Sequence, residues 1–305
     1  MTPTRGPAIQ AVIQARVIHA MTVPFTMQIV AGPQQSSHAL AAIADEAITL
    51  IGKCLHDVET RFSPFLNDSL VAKARAGDWS ALLHDRDFAE IYALCHQAKR
   101  LTDGCFDPMH NGVYDPTGIV KGWAIERAHQ RFLMPLVRDG RCAAAALGGG
   151  GDIRTAVHDD SDFVWRIGIE NPLAGGIGRT KAGTTNPRQG RPTPHTTSQP
   201  STIRTISLRD GAIATSGTAK RGEHITRRSH DLAQATIIHD RLVFADMWAT
   251  TAIIAGEQRF RSILATHAAP NVQAILARYP EYHADDDSLV SVIGFPSQKD
   301  SYETH

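Results

Sequence analysis

The sequence predicts an α+β fold with mixed, mostly antiparallel sheets and packed helices. Three observations lead there. Apolar residues recur at helical spacing over long stretches. Short runs rich in Val, Ile and Thr are bounded by turn residues. The two kinds of segment do not alternate in the regular rhythm of a doubly wound parallel sheet. The chain has 305 residues, 42% of them hydrophobic and 20% charged. That is enough for a sizeable core without disulfides or a structural metal.

The elements follow in order. Residues 24–31 (PFTMQIVA) read as a strand entering from a loop. Leu40, Ile43, Ala47, Leu50, Ile51, Cys54, Leu55 and Val58 then fall on one helical face, predicting a long amphipathic helix over about 37–59. A second helix is predicted over 87–101. Phe88, Ile91, Cys95, Ala98 and Leu101 form its apolar face, Asp87 and Glu90 have capping-box spacing, and Gly104 follows its end. A third is predicted over 122–133. Cys142–Leu147 reads as a small, buried strand running into four glycines, and Phe163–Ile169 as another strand. Further strands are expected at 205–208, 212–215 and 236–239, with Arg209-Asp210-Gly211 as a turn, and a helix from Asp246 to Ile254. From Asn171 to Arg209 no acidic residue occurs and Gly, Thr, Pro and Arg dominate. This reads as a long flexible insertion.

Charge and composition exclude several classes. Thirty-one basic and thirty-one acidic residues cancel, so no global field draws in nucleic acid. The fifteen histidines are mostly scattered singly. Cys54, Cys95, Cys105 and Cys142 form no CxxC pair and read as buried thiols, not as a disulfide framework or zinc knuckle. No run of about 18 apolar residues is present, so no membrane span is expected. The first twenty residues show neither a continuous apolar region with a cleavage site nor a cysteine for a lipid anchor. The expectation is a cytoplasmic protein.

Four segments carry residues suited to chemistry. In Asp115–Ala124 (DPTGIVKGWA), Gly118 and Gly122 let backbone approach a ligand, and Lys121 adds a positive charge beside helix-start amides. This suits a phosphate, and equally reads as an ordinary loop-to-helix junction; the P-loop spacing is absent. In Leu147–Ile153 (LGGGGDI), Asp152 stands where a carboxylate meets a ligand hydroxyl or a metal, or closes a glycine turn on its own backbone. In Ala214–Ile225 (ATSGTAKRGEHI), small polar residues precede two cations and His224, as in a phosphate cradle or a polar hairpin loop. In Ala245–Thr251 (ADMWATT), Asp246 and Thr250 are four apart, so both oxygens share one helical face. That is an oxygen set for Mg²⁺, or Asp246 is an N-cap.

Taken together and in order, these segments resemble the FAD:protein FMN transferase family, the ApbE-type flavin transferases. Met21-Thr22-Val23 resembles a Met-Gly-Thr near the first strand. Arg61-Phe62-Ser63 with Asp68-Ser69, Thr102–Pro108 (TDGCFDP), Asp115–Ala124, Gly150–Ile153, Trp165–Pro172, Ala214–Ile225 and Ala245–Thr250 are each similar to family blocks. The similarity spans about residues 21–256. Where the family continues H-I-x-D-P-x-T-G, this chain has Thr226, Arg227 and Arg228 after His224-Ile225. The stretch between Asp107 and Asp115 is short, and 173–203 looks like an insertion.

The resemblance implies a T-fold-like flavin transferase domain. Its expected limits are 21–290, with an N-terminal extension 1–20, a flexible insertion at about 173–203 and a C-terminal tail 291–305. It implies Mg²⁺-dependent transfer of FMN from FAD to a threonine hydroxyl of an acceptor protein, with AMP released. Hydrolysis of FAD to FMN and AMP, or FAD binding without catalysis, are the alternatives. The metal ligands implied are the Gly118 carbonyl, Asp246, Thr250 and the Ala249 carbonyl. Met21, Cys105, Phe106, Asp107, Asp115, Lys121 and Ile225 would contact FAD, and His224 would be catalytic.

Overall fold

The computed structural model describes residues 11–109, 112–174, 201–217, 229–267, 271–282 and 289–295. Among them, two strands open the fold as a hairpin: β1 (Ile13–Ala20) and β2 (Val23–Val30), in antiparallel register from Ile13↔Val30 to Ala20↔Val23. Met21 and Thr22 form the two-residue turn between them, both with positive φ, 46° and 64°. The right-handed twist of a hairpin favours that conformation, although neither residue is glycine. The sheet thus takes in residues that the sequence assigns to an N-terminal extension. It also takes in the start of the expected C-terminal tail, through β10 (Val290–Ile293). In β1, Ile18 lies over α1, where a Cβ on Gly52 would collide with it. That packing makes the segment part of the domain.

A helical block follows. It comprises α1 (Ser37–Phe62), α2 (Leu70–Arg75), α3 (Ala81–His84), α4 (Arg86–Leu101) and α5 (Thr117–Ala128). A π-helical turn over His129–Leu133 leads into α6 (Met134–Arg138). Helix α1 starts at the Ser36 cap, whose hydroxyl accepts from Ala39 N. It buries Leu40, Ala44, Ala47, Ile51, Leu55, Val58 and Phe62; of the face read from the sequence, Ile43 and Cys54 are only part-buried and Leu50 is exposed, because the buried stripe lies slightly to one side of it. The cap of α4 is Asp85, whose Oδ1 accepts from Phe88 N at 2.9 Å; it is not the expected Asp87. Asp87 instead pairs with Arg61 at 2.9 Å and Arg127 at 2.7 Å. Arg61 also reaches Asp85 at 2.6 Å, tying the end of α1 to the start of α4.

The chain then returns to the sheet. It adds β3 (Ala144–Gly149), β4 (Asp152–Val157), β7 (Gly211–Gly217), β8 (Leu232–His239), β9 (Gln273–Arg278) and β10. The spatial order is β1-β2-β3-β4-β7-β8-β9-β10, and every pairing is antiparallel. A separate ribbon of β5 (Trp165–Glu170) and β6 (Thr202–Leu208) lies against the other face. Helices α7 (Leu242–Ala255) and α8 (Glu257–Thr266) complete the helical side.

Three layers result. Alternate residues of β2 and β3 divide between them: Phe25, Met27, Ile29, Ala145 and Leu147 join the helix-side core, while Val30, Ala144 and Ala146 meet Trp165 of the ribbon. A second ribbon-side cluster gathers Ile169, Ile206, Ile213, Ile238 and Ile275. Mixed, mostly antiparallel strands with packed helices are the α+β class that the sequence predicts. Among the described residues all four cysteines are free thiols, and no helix is long and apolar enough to cross a membrane.

Candidate active site

One end of the main sheet collects the sequence motifs. The β1–β2 turn with Met21, the β3–β4 turn at Gly150-Gly151 and the end of β7 at Gly217 all fall there. The register shows it: Phe25 pairs with Gly149, Gly149 with Asp152, and Ile153 with Ile213. Gly150 and Gly151 have φ of 63° and 98°, a left-handed pair that glycine tolerates without strain. The turn delivers Asp152 at the first position of β4.

Helix α5 approaches from the helical side. Gly122 is where it meets α7. A Cβ there would stand 3.2 Å from Val243 Cα, 3.3 Å from Leu242 O and 3.4 Å from Asp246 Cβ, a contact tight enough that a side chain would push the two backbones apart by a few tenths of an ångström. The neighbouring Lys121 is thereby placed between two buried carboxylates. Its Nζ lies 2.6 Å from Asp152 Oδ2 and 3.5 Å from Asp246 Oδ2. The side chains of Asp152 and Asp246 are 0% and 5% exposed, that of Lys121 23%. Asp152 Oδ1 accepts from Thr215 N at 3.4 Å, whereas Oδ2 of both aspartates accepts no hydrogen bond of good geometry. Burial, and then the nearby Asp246 charge, push the Asp152 carboxyl well above the usual carboxylate range; Lys121 opposes them.

Helix α7 is apolar on nearly every side and packs against α5, β7 and β8. Asp246 lies a full turn inside it, so the N-cap reading is corrected: the cap position is Arg241. Thr250, one turn further on, has its Oγ1 3.2 Å from Ser216 Oγ of β7, and Thr215 Oγ1 lies 2.9 Å from Thr236 Oγ1. Ala249 is buried within the same helix. Gly118 sits in the first turn of α5, where a Cβ would lie 2.6 Å from the Phe106 ring. Two buried carboxylates, an adjacent hydroxyl pair and one ammonium leave a net negative, oxygen-rich site. That donor set fits a hard divalent cation that takes its remaining ligands from water and phosphate. Among the described residues no three His, Cys, Asp or Glu side chains cluster as a metal cage, so any such site depends on hydroxyl and backbone oxygens.

The other implied residues divide. Cys105 and Phe106 are buried. Phe106 N donates to Thr102 Oγ1 at 3.0 Å, which fixes the loop after α4. Asp107 pairs with Lys99 at 2.8 Å and accepts from Met109 N. Asp115 accepts from Thr117 N at 3.0 Å and faces Arg75 at 3.5 Å. Ile119 N donates to the Pro116 carbonyl. The start of α5 therefore already uses two of the amides that the sequence reading offers to an anion. The helix begins at Thr117 and not at 122, because Gly118 and Gly122 are held by tertiary contacts that propensity does not register. His224 and Ile225 lie outside the described residues. Asp152, read from the sequence as a carboxylate for a ligand hydroxyl, a metal or its own turn, proves to be a direct neighbour of Lys121, and Ser216, given no role from the sequence, is one of Thr250. The signal for Asp152 was the glycine run that turns a buried strand straight into a carboxylate.

Two surface concavities lie outside this cluster or at its border. One, of about 640 Å³, is lined by Arg86, Asp87, Glu90 and Arg127 on the outer side of α4 and α5. A second, of about 280 Å³, lies over Thr26, Gln28 and Gly148–Gly151. The first touches none of the cluster. The second borders it only through Asp152.

An antiparallel sheet roofed by helices, with a lysine between two buried aspartates at one sheet end, defines an α+β protein with a polar, charged site at that end. The sequence profile of the ApbE family matches residues 110–276, more than half of the chain, and the chain belongs to that family. Among solved structures it is similar to the flavin transferase ApbE from Vibrio cholerae, at 15% identity and a TM-score of 0.59, covering 93% of this chain and 97% of that one. It is also similar to the ApbE protein from Thermotoga maritima, at 18% identity and a TM-score of 0.61, covering 90% and 96%. A third is the flavinyl transferase ApbE from Pseudomonas stutzeri, at 15% identity and a TM-score of 0.62, covering 94% and 96%. At such identities these likenesses speak for the fold. No curated protein sequence matches the chain.

Proposed function

We propose that this protein transfers FMN from FAD to a threonine hydroxyl of an acceptor protein, releases AMP, and uses Mg²⁺ held by Asp246, Thr250 and the carbonyls of Gly118 and Ala249. The observation that carries this reading is the Lys121–Asp152–Asp246 cluster, in which Lys121 pairs closely with Asp152 and leaves Asp246 Oδ2 without a close hydrogen-bond donor, on the helix that carries Thr250. Membership of the ApbE family supports it.

Breaking a pyrophosphate builds negative charge on phosphoryl oxygens, so catalysis is chiefly positioning and charge stabilisation. A bound Mg²⁺ would supply Lewis-acid polarisation of those oxygens. Lys121 contributes a second, fixed positive charge on α5, oriented by Asp152. The loop of Cys105, Phe106 and Asp107 and the turn at Asp115 flank the start of the same helix. Met21, Asp107, Asp115, Lys121 and Ile225 are assigned to hold FAD, with Cys105 and Phe106 packing beneath it. His224 takes the proton of the acceptor hydroxyl, which is a weak nucleophile at neutral pH.

The test is product analysis with FAD, Mg²⁺ and a threonine-bearing acceptor protein. Covalent flavin fluorescence on the acceptor, with one AMP per flavin, is the expected result. Free FMN with AMP would show a hydrolase instead, and unchanged FAD a binding protein.

A further inference from the structure

Resting on that function, we infer that Glu126 is a positioning residue: a carboxylate on α5 that caps α7 and so holds Asp246 and Thr250 in register with Lys121. Helix α7 brings no cap of its own. Its N-cap residue, Arg241, gives no side-chain acceptor, and its first turn contains no acidic residue. The starting amides of a buried helix need acceptors. Glu126, itself buried, supplies one from another helix. Its Oε2 accepts from Val243 N at 3.3 Å, and its Oε1 accepts from Arg241 Nε at 2.9 Å. A carboxylate there also complements the positive end of the α7 dipole.

Gly122, one turn earlier on α5, makes the close backbone contact with Val243 and Leu242. Two fixed points on α5, four residues apart and on one face, therefore grip the first turn of α7. Gly122 sets how near the helices come. Glu126 sets how far α7 slides along α5 and how it is rotated. Lys121 adjoins the first of these points, and Asp246 follows Val243 by three residues. A shift of α7 by even a fraction of its rise per residue would alter the 3.5 Å between Lys121 and Asp246 and the 3.2 Å between Thr250 and Ser216. Glu126 touches no substrate. It acts through the position of the helix that carries the metal ligands.

The experiment compares wild type, Glu126→Ala, Glu126→Gln and Asp85→Ala, all as the full chain. Asp85→Ala removes the cap of α4 and its pair with Arg61, away from α7, and controls for a general loss of stability. Two quantities are measured: Mn²⁺ binding without FAD, by electron paramagnetic resonance titration, and hydrogen exchange of the amides in residues 242–246. Glu126→Ala should weaken Mn²⁺ binding by roughly 10–100-fold, the usual effect of losing a partner that orients metal ligands, and should speed exchange at the start of α7. Glu126→Gln retains a carbonyl oxygen for Val243 N and should keep most of the affinity. Asp85→Ala should change neither. Unchanged α7 exchange in Glu126→Ala, unchanged Mn²⁺ affinity, or an equal loss in Asp85→Ala would each overturn the assignment. If Glu126→Ala does not fold, Glu126→Asp replaces it; its shorter side chain cannot serve Val243 and Arg241 together, so wild-type affinity there would overturn the assignment as well. Wild type that binds no Mn²⁺ would sink the metal reading alone; the exchange comparison would still judge Glu126.

Discussion

Replacing Lys121 by methionine keeps the bulk of the side chain and removes its charge. Asp152 and Asp246, both buried, would then face each other without a cation. At an effective dielectric of 20, opposite charges 2.6 Å apart attract by about 6 kcal/mol. Part of that is offset by the desolvation that the ammonium no longer suffers. Breaking one side of a buried pair costs about 3–5 kcal/mol in practice, and that is the expected loss at pH 8. The pH dependence follows from Asp152, whose folded-state carboxyl is raised above its unfolded value. Such a group contributes stability that is fully present below its unfolded pKa and is lost as pH rises through the folded one. Without Lys121 the folded value climbs further, so the penalty grows toward alkaline pH and shrinks in acid. Urea unfolding of Lys121→Met at pH 5 and pH 8 measures both values. A loss below about 1 kcal/mol, or the same loss at both pH values, would refute the reasoning. Adding Asp152→Asn should recover much of the loss.

Asp246→Asn should retain the fold and lose divalent-ion-dependent flavin transfer; full activity with Mg²⁺ would remove it from the metal site. His224→Ala should slow transfer by about 10²–10⁴ with FAD affinity nearly unchanged, the span of acid–base catalysis, and near-normal turnover would exclude it as the base. Burial pushes the Glu257 carboxyl up, but hydrogen bonds from Arg278, Ser291 and Arg261 outweigh it and hold the group at about 2 instead of 4.5. Its stabilisation is therefore present above pH 4.5 and lost as pH falls toward 2. Glu257→Gln should cost about 3 kcal/mol at pH 7, from some 1.4 kcal/mol per pKa unit, with the two unfolding curves converging in acid; a gap independent of pH would contradict this.

The periodic helices were legible because their burial largely follows their own sequence: Leu40, Ala47, Ile51, Leu55 and Val58 of the apolar face of α1 are buried, although Leu50 is not. The start of α7 was not, because its cap comes from Glu126, more than a hundred residues away in the chain. A local reading placed the helix start at the nearest acidic residue, Asp246. The start of α5 was hidden in the same way, since Gly118 and Gly122 read as loop until Phe106 and Val243 are seen against them. Strand β1 escaped notice because its Ile13 and Val17 stay exposed at the sheet edge, so its alternation marks only one packed face. In the candidate site, Lys121 and Asp246 came from spacing and motif, whereas the pairing of Lys121 with Asp152 rests on a strand register that no local pattern encodes.

The strands of the main sheet stand side by side in the order in which the chain presents them, apart from the looped-out ribbon. A growing chain could thus lay down β1 to β4 and the helices between them as successive antiparallel additions, before β7 and α7 have been synthesised. Lys121 and Asp152 would by then be present, but Asp246 would not, and the end of the sheet would remain open to water. Only the arrival of α7 over β7 and β8 encloses the three charges together. The burial of the three charges therefore depends on the same helix that fills the middle of the core with Met247, Trp248 and Ile253.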